Sequence, residues 1–446
     1  MRLLLLCVSL VLCATLPAAP PPALQQEPNT WVKRSPLKGG PVSPGMGYEA
    51  ALAYDPVARR VIRWGGHNQG GGGEQNGETW AYDPATARWK LMEPNTSPPG
   101  ACCAQQNVFD LDQNRFLRFP AFSGNHGWQW LREIYLSNST VWNYDLASNT
   151  WRERRPLPAP RVGPLRCASW DSDHQVVVIF GGEGVNDGTV VYDPYNNSWT
   201  RRSPAQQPAA RSSGNMTYDE ARRLHVLFGS QFSDDPHIWT YDLRKNEWRD
   251  RKPATQPPTD RNDAVLAYDP VNKVIVASVR VIDKTEGQEV VDGHYETWVY
   301  DAGRNVWKAM KPPREPEGWG NRRRIMVAVP DRNVVLMENY INPSQRVPGV
   351  DREQQIWTYR YGVIPKETLL PPSAVRVTTS ARAATVSWER SPSEGVTGYA
   401  VYRGTGAIPW LVDYQQVGKV DSEASRFEDR DLKPGVLYFY CVRSLT

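Results

Sequence analysis

Residues 237–248 read HIWTYDLRKNEW, and the same pattern returns along the chain. ETWAYDPATARW ends at Trp89, TVWNYDLASNTW at Trp151, GTVVYDPYNNSW at Trp199 and ETWVYDAGRNVW at Trp307. A Tyr-Asp pair stands in the middle of each copy, where Asp or a following Pro sets a bend. A second motif precedes each one: AALAYDPVARRVIRWGG from Ala50, NVFDLDQNRFLRFPAF from Asn107, ASWDSDHQVVVIFGG from Ala168, MTYDEARRLHVLFGS from Met216 and LAYDPVNKVIVASVR from Leu266. A sixth, MVAVPDRNVVLMENY, starts at Met326. Each unit predicts two pairs of short strands. Self-similarity at this period marks a solenoid or a propeller of small sheets. Composition agrees, since 38 prolines and 34 glycines break helices while 18 tryptophans favour strands.

The Gly-Gly doublet after an apolar strand, the Tyr-Asp pair and the spaced Trp resemble kelch repeats, which are four-stranded blades of a β-propeller. The resemblance covers residues 29–362, with the doublet intact only in the first and third units. It implies an all-β chain with a six-bladed kelch-type propeller. The sixth unit reaches QIWTYRYG, residues 355–362, without a final NxW strand, and a spare NTWVKRSP stands at residues 29–36. The N-terminal strand is therefore expected to complete the last blade, which removes an exposed edge. A linker, 363–370, follows. Residues 371–446 alternate apolar and polar positions. They resemble a fibronectin type III β-sandwich whose core would take Trp388, Tyr399, Leu432 and Tyr438, with that family's last strand missing.

Arg2, the apolar run LLLLCVSLVLCATL and PAAPPPA read as a signal peptide, residues 1–23, cleaved between Leu16 and Leu24. The run is too short to span a bilayer, so no transmembrane segment is expected after its removal. Leu12 before Cys13 is too large for a lipobox. A secreted, periplasmic or cell-surface protein is expected. Cys102, Cys103, Cys167 and Cys441 are too few for a disulfide scaffold and lack zinc spacing. Cys102 and Cys103 are open to a vicinal bridge, to pairing with Cys167, or to staying free. A net charge of +4 gives no concentrated basic stripe, and no nucleic-acid partner is expected.

Aligned at the first-strand tyrosine, the last three units carry Arg211, Arg261 and Arg322 seven positions earlier. Two positions after these come Glu49 in the first unit, Asp263 in the fifth and Arg324 in the sixth. In a propeller these residues stand at the channel mouth. Converging arginines there suit an anion such as a sugar acid, or pair with the carboxylates. A second candidate is AFSGNHGWQWLREIYLSNS, residues 121–139, where His126, Trp128, Trp130 and Tyr135 would stack on a sugar or pack the loop. VIDKTEGQEVVDGHYE, residues 281–296, reads as a solvated acidic loop with Asp283, Glu286, Glu289, Asp292 and His294, rather than a metal site. The glycine-rich run at 67–77 leads into a strand and lacks Lys-Ser or Lys-Thr, so it reads as a connection and not a phosphate cradle. The carboxylates of DLDQN and DSDHQ read as turn residues.

No GxSxG or HExxH is present, and no catalytic residue, metal or other cofactor is assigned. The expectation is a binding protein whose loop-rich propeller face recognises an extracellular glycan or protein. The alternative is an exported sugar-acting enzyme similar to the sialic acid mutarotases, with Glu49 or Asp263 as acid/base beside an arginine. Similarity to the copper-radical oxidases related to galactose oxidase is weaker, because their Tyr-His ligand pair is absent and His294–Tyr295 has the reverse order.

Overall fold

A computed structural model describes residues 26–445 except 36–48, 68–76, 101–105, 120–140, 157–159, 161–164, 183–187, 210, 212–214, 230–236, 259–262, 288, 321–323, 342–344, 363–368, 381, 394, 407–411 and 413. Among the described residues the strands form six four-stranded antiparallel sheets and two three-stranded ones. The first sheet holds Ala51–Asp55, Arg60–Trp64, Thr79–Asp83 and Arg88–Leu91. The second holds Val108–Asp110, Arg115–Arg118, Val141–Asp145 and Thr150–Arg154. The third holds Cys167–Asp171, Val176–Phe180, Thr189–Asp193 and Ser198–Arg201, and the fourth Asn215–Asp219, Leu224–Phe228, Trp239–Asp242 and Glu247–Asp250. The fifth holds Ala264–Asp269, Val274–Glu286, Glu289–Asp301 and Val306–Ala309. The sixth joins Arg324–Val329, Val334–Ile341 and Glu353–Arg360 to Thr30–Ser35 from the N-terminus.

The first strands of successive sheets neighbour one another, and that of the sixth neighbours that of the first. Apolar packing follows the same order. Ile62 and Trp64 of the first sheet meet Phe116 and Tyr144 of the second, and each later pair of sheets shares such a cluster. Ile325 and Leu336 of the sixth meet Leu52 and Val61 of the first. A sheet covered on both faces needs apolar residues on both, which is why runs such as VVVIF are buried throughout.

The repeated Tyr, Asn and Trp are explained by what they bind. The tyrosine hydroxyl donates to the asparagine five residues on in Tyr144–Asn149 (2.6 Å), Tyr192–Asn197 (2.9 Å), Tyr241–Asn246 (2.8 Å) and Tyr300–Asn305 (2.6 Å). Each of these asparagines has a positive φ, a conformation that Asn tolerates better than most residues. In two of these sheets the tryptophan indole donates to the preceding sheet. Trp151 donates to Thr79 Oγ1 at 2.9 Å and Trp248 to Thr189 Oγ1 at 2.9 Å. In the sixth sheet the N-terminal strand supplies both parts: Tyr359 donates to Asn29 (2.7 Å) and Trp31 to Thr297 Oγ1 (2.6 Å).

The short turns join first to second and third to fourth strands, so they share one end of the sheets. Asp110 Oδ1 accepts the amides of Asp112 and Gln113, both at 3.0 Å, as a turn aspartate should. Its Oδ2 is buried with no hydrogen bond, and burial together with nearby Asp112 pushes the carboxyl up to about 7. The folded state therefore holds a proton that the unfolded chain, with an ordinary value of about 3.9, has released. The contribution to stability is greatest below about pH 4 and is lost as pH rises toward 7. Asp110→Asn keeps the turn acceptor and has no proton to lose. Its stability relative to wild type should therefore rise across that window, by on the order of 2 kcal/mol, in chemical denaturation at pH 4.5 and pH 8. A pH-independent difference would refute the assignment.

The C-terminal unit pairs Ser373–Thr379, Ala384–Glu389 and Arg426–Asp429 in one sheet, and Gln415–Asp421, Gly398–Thr405 and Tyr438–Leu445 in the other. Trp388, Tyr399 and Val442 pack between them, and Leu432 is also buried. Tyr438 is only half-buried, with Arg403 over its ring at 5.4 Å, so it is not the core residue expected from the sequence. This unit meets the short-turn end of the six sheets. Arg443 donates to Asp173 Oδ1 at 2.7 Å, and the Ala374 amide to the Asp112 carbonyl at 3.3 Å. A cavity of about 290 Å³ is lined by residues from all six first strands, among them Tyr54, Phe109, Tyr218 and Tyr268, and by Leu369 to Pro371.

Candidate functional site

The end opposite the short turns carries the long connections, and six buried arginines lie there, one per sheet: Arg63, Arg118, Arg166, Arg211, Arg280 and Arg324. Charged side chains are seldom fully buried without partners, so each contact matters. Arg63 donates from Nε to Glu338 (2.7 Å) and from Nη1 to the Gly65 carbonyl (2.9 Å), tying the first sheet to the sixth. Arg324 donates to Ser278 Oγ (2.7 Å), to the Asp263 carbonyl (3.0 Å) and to its carboxylate (3.3 Å), and lies 4.1 Å from the Tyr295 ring. Glu49 faces His67 Nε2 at 3.2 Å.

The second to fourth sheets differ. Arg166 donates to Asn107 Oδ1 at 3.2 Å and lies 5.6 Å from the Phe119 ring. Arg211 donates to the Gly229 carbonyl at 3.4 Å. Arg118 lies 4.7 Å from the Trp64 ring, and none of its three guanidinium nitrogens finds a hydrogen-bond partner among the described residues. Burial pulls Arg118 and Arg166 well below the usual guanidinium range, and the charge of Arg118 lowers Arg166 further. Two residues here take a positive φ, Glu49 at 59° and Leu165, next to Arg166, at 52°. For a bulky residue such as leucine this costs on the order of 1 kcal/mol, a strain typical of functional sites.

The structure thus brings four of the expected mouth residues, Arg211, Arg324, Glu49 and Asp263, to one end. For Arg324 the pairing alternative holds. Arg324 is neutralised by Asp263 and braces the fifth sheet against the sixth. The alignment in the sixth unit also moves by one residue. The pair Val329↔Val334 matches Asp55↔Arg60, so Ala328, not Val329, stands at the tyrosine position. Arg261, Arg322, His126, Trp128, Trp130, Tyr135, Cys102 and Cys103 lie outside the described residues. Cys167 is a free buried thiol, which removes the expected option of a bridge to it, and burial pushes its pKa up to about 12.

Sequence reading missed Arg63, Arg118, Arg166 and Arg280. A signal was present for the first two, since VIRW and FLRF each set an arginine inside an apolar run. Of residues 281–296, expected as a loop, 281–286 and 289–296 instead extend the fifth sheet within two paired 13-residue strands. There His294 Nδ1 meets Asp283 at 2.6 Å in an exposed pair. Among the described residues no group of three His, Cys, Asp or Glu side chains is placed to hold a metal ion. No described helix is long and apolar enough to cross a membrane.

The class defined by these observations is an all-β protein built of many four-stranded antiparallel sheets. No family model and no curated protein matches the chain.

Proposed function

We propose that the six sheets are the blades of a kelch-type propeller, that the C-terminal unit is a fibronectin type III-like sandwich, and that the protein is exported to bind an extracellular glycan or protein. The cyclic order of inter-sheet clusters and the N-terminal strand in the sixth sheet support the propeller reading. The observation that carries the binding role is the set of six buried arginines at the long-connection end. A scaffold needing only stability would fill those positions with apolar residues, because buried charge is seldom stabilising. Loops on a rigid frame are also where recognition concentrates.

The sugar-acting enzyme is the second reading. It rests on Glu49 and His67, a buried carboxylate–imidazole pair of the kind that serves acid/base chemistry. A glycan array probed with the chain lacking its signal peptide tests the first reading, and selective retention of a glycan class is the expected result. NMR of anomer exchange on the retained sugars separates the two. Accelerated exchange would favour the enzyme, whereas binding without exchange would leave the binding protein.

A further inference from the structure

We infer that Arg118, with Arg166 near it, forms the seat for one carboxylate group of the ligand. This deepens the binding role proposed above and rests on it.

Across the fifth, sixth and first sheets each buried acid faces a cation or an imidazole: Asp263 faces Arg324, Glu338 faces Arg63 and Glu49 faces His67. In the second and third sheets Arg118 and Arg166 follow in sequence. Arg166 and Arg118 are close enough for their charges to interact.

Arg118 is the decisive group. It shares its strand position with Arg63, each standing opposite a tryptophan on the third strand, Trp80 for Arg63 and Trp142 for Arg118. Arg63 has Glu338 as its partner, whereas Arg118 is 0% exposed and makes no hydrogen bond among the described residues. The Trp64 ring offsets only part of the cost of burying that charge. The missing component is an acceptor that carries negative charge and matches a planar fork of donors, which describes a carboxylate better than a hydroxyl or a carbonyl. A saccharide bearing such a group would enter from the long-connection end.

The test is calorimetric titration and thermal unfolding of the chain lacking its signal peptide, with glucuronate, glucose and inorganic sulfate as probes. Glucuronate should bind and raise the melting temperature, and glucose should not. Sulfate alone producing the shift would show a general oxyanion pocket and overturn the carboxylate assignment. Arg118→Met, which keeps the bulk and removes the charge, should weaken glucuronate at least ~30-fold. It should also leave the unliganded protein as stable as wild type or more so. If Arg118 only braces Trp64, Arg118→Met will lower the melting temperature and leave glucuronate affinity unchanged, which overturns the inference. Arg118→Lys retains charge without the fork and should fall between the two if the variant with Met folds poorly. Neutral glycans retained on the array with no response to glucuronate would defeat this inference while leaving the binding role intact. A glucuronate response with an empty array would place the seat outside that role.

Discussion

Removal of residues 26–35 is expected to abolish the cooperative unfolding transition at the wild-type temperature. Thr30–Ser35 pairs with Glu353–Arg360, and the ladder runs from Thr30↔Arg360 to Ser35↔Ile356. Without it Glu353–Arg360 becomes an edge with unpaired amides and carbonyls, open to pairing with other chains. Side-chain anchors go as well, among them those of Trp31 and Asn29. Trp31, 4% exposed, leaves the cluster shared with Val276 and Met337, and its bond to Thr297 is lost. Asn29 no longer accepts from Tyr359 or donates to the Met310 carbonyl at 3.0 Å. Losing a buried tryptophan alone costs about 3–5 kcal/mol. That is a large part of the 5–15 kcal/mol that holds a typical domain together. Trp31→Ala should therefore lower the melting temperature by several degrees at least, and Trp31→Phe by less, since it keeps the ring and loses a bond worth about 1 kcal/mol. Near-ultraviolet circular dichroism on heating reads both. A truncated chain that melts like wild type would show that the sixth sheet stands without its N-terminal strand.

That strand was legible because it carries the Asn-x-Trp of four other outer strands, and its asparagine accepts from the sheet's tyrosine as theirs do. The repeat reads clearly in sequence because one Tyr–Asn hydrogen bond is reused in five of the six sheets. The site reads poorly for the opposite reason, since each sheet contributes something different. Arg166 and Arg211 precede first strands, whereas Arg63 and Arg118 come from within second strands. Their shared location depends on strand register, which a single misplaced position disturbs, as Ala328 shows. Whether an arginine is neutralised is harder still to read. Arg63 and Glu338 are 275 residues apart, and only the meeting of the first and sixth sheets pairs them.

Asp171 and Asp110 occupy the same place at the ends of their first strands, yet they should respond to acid in opposite directions. Burial alone would raise Asp171, but hydrogen bonds from His174 and His225, with the charge of both, hold it well below the usual carboxylate range. Its Oδ2 lies 2.8 Å from His174 Nδ1 and 3.2 Å from His225 Nε2, while Oδ1 accepts the amides of Asp173 and His174, both at 3.0 Å. His225 also meets Ser169 Oγ at 2.7 Å, so the group joins the third and fourth sheets at a fully buried point. Replacing Asp171 by alanine strands two imidazoles and two amides. Breaking a buried pair in this way costs about 3–5 kcal/mol, enough to leave much of the protein unfolded at 37 °C. Because the folded value is depressed, the contribution of Asp171 is complete above the unfolded value of about 3.9 and is lost as pH falls through the folded one. The stability gap between wild type and Asp171→Asn should thus narrow below pH 4. The gap produced by Asp110→Asn changes instead between pH 4 and 7. Denaturant unfolding of the two variants in parallel separates these cases. If both gaps moved in the same window, the histidines would not be what sets Asp171 apart.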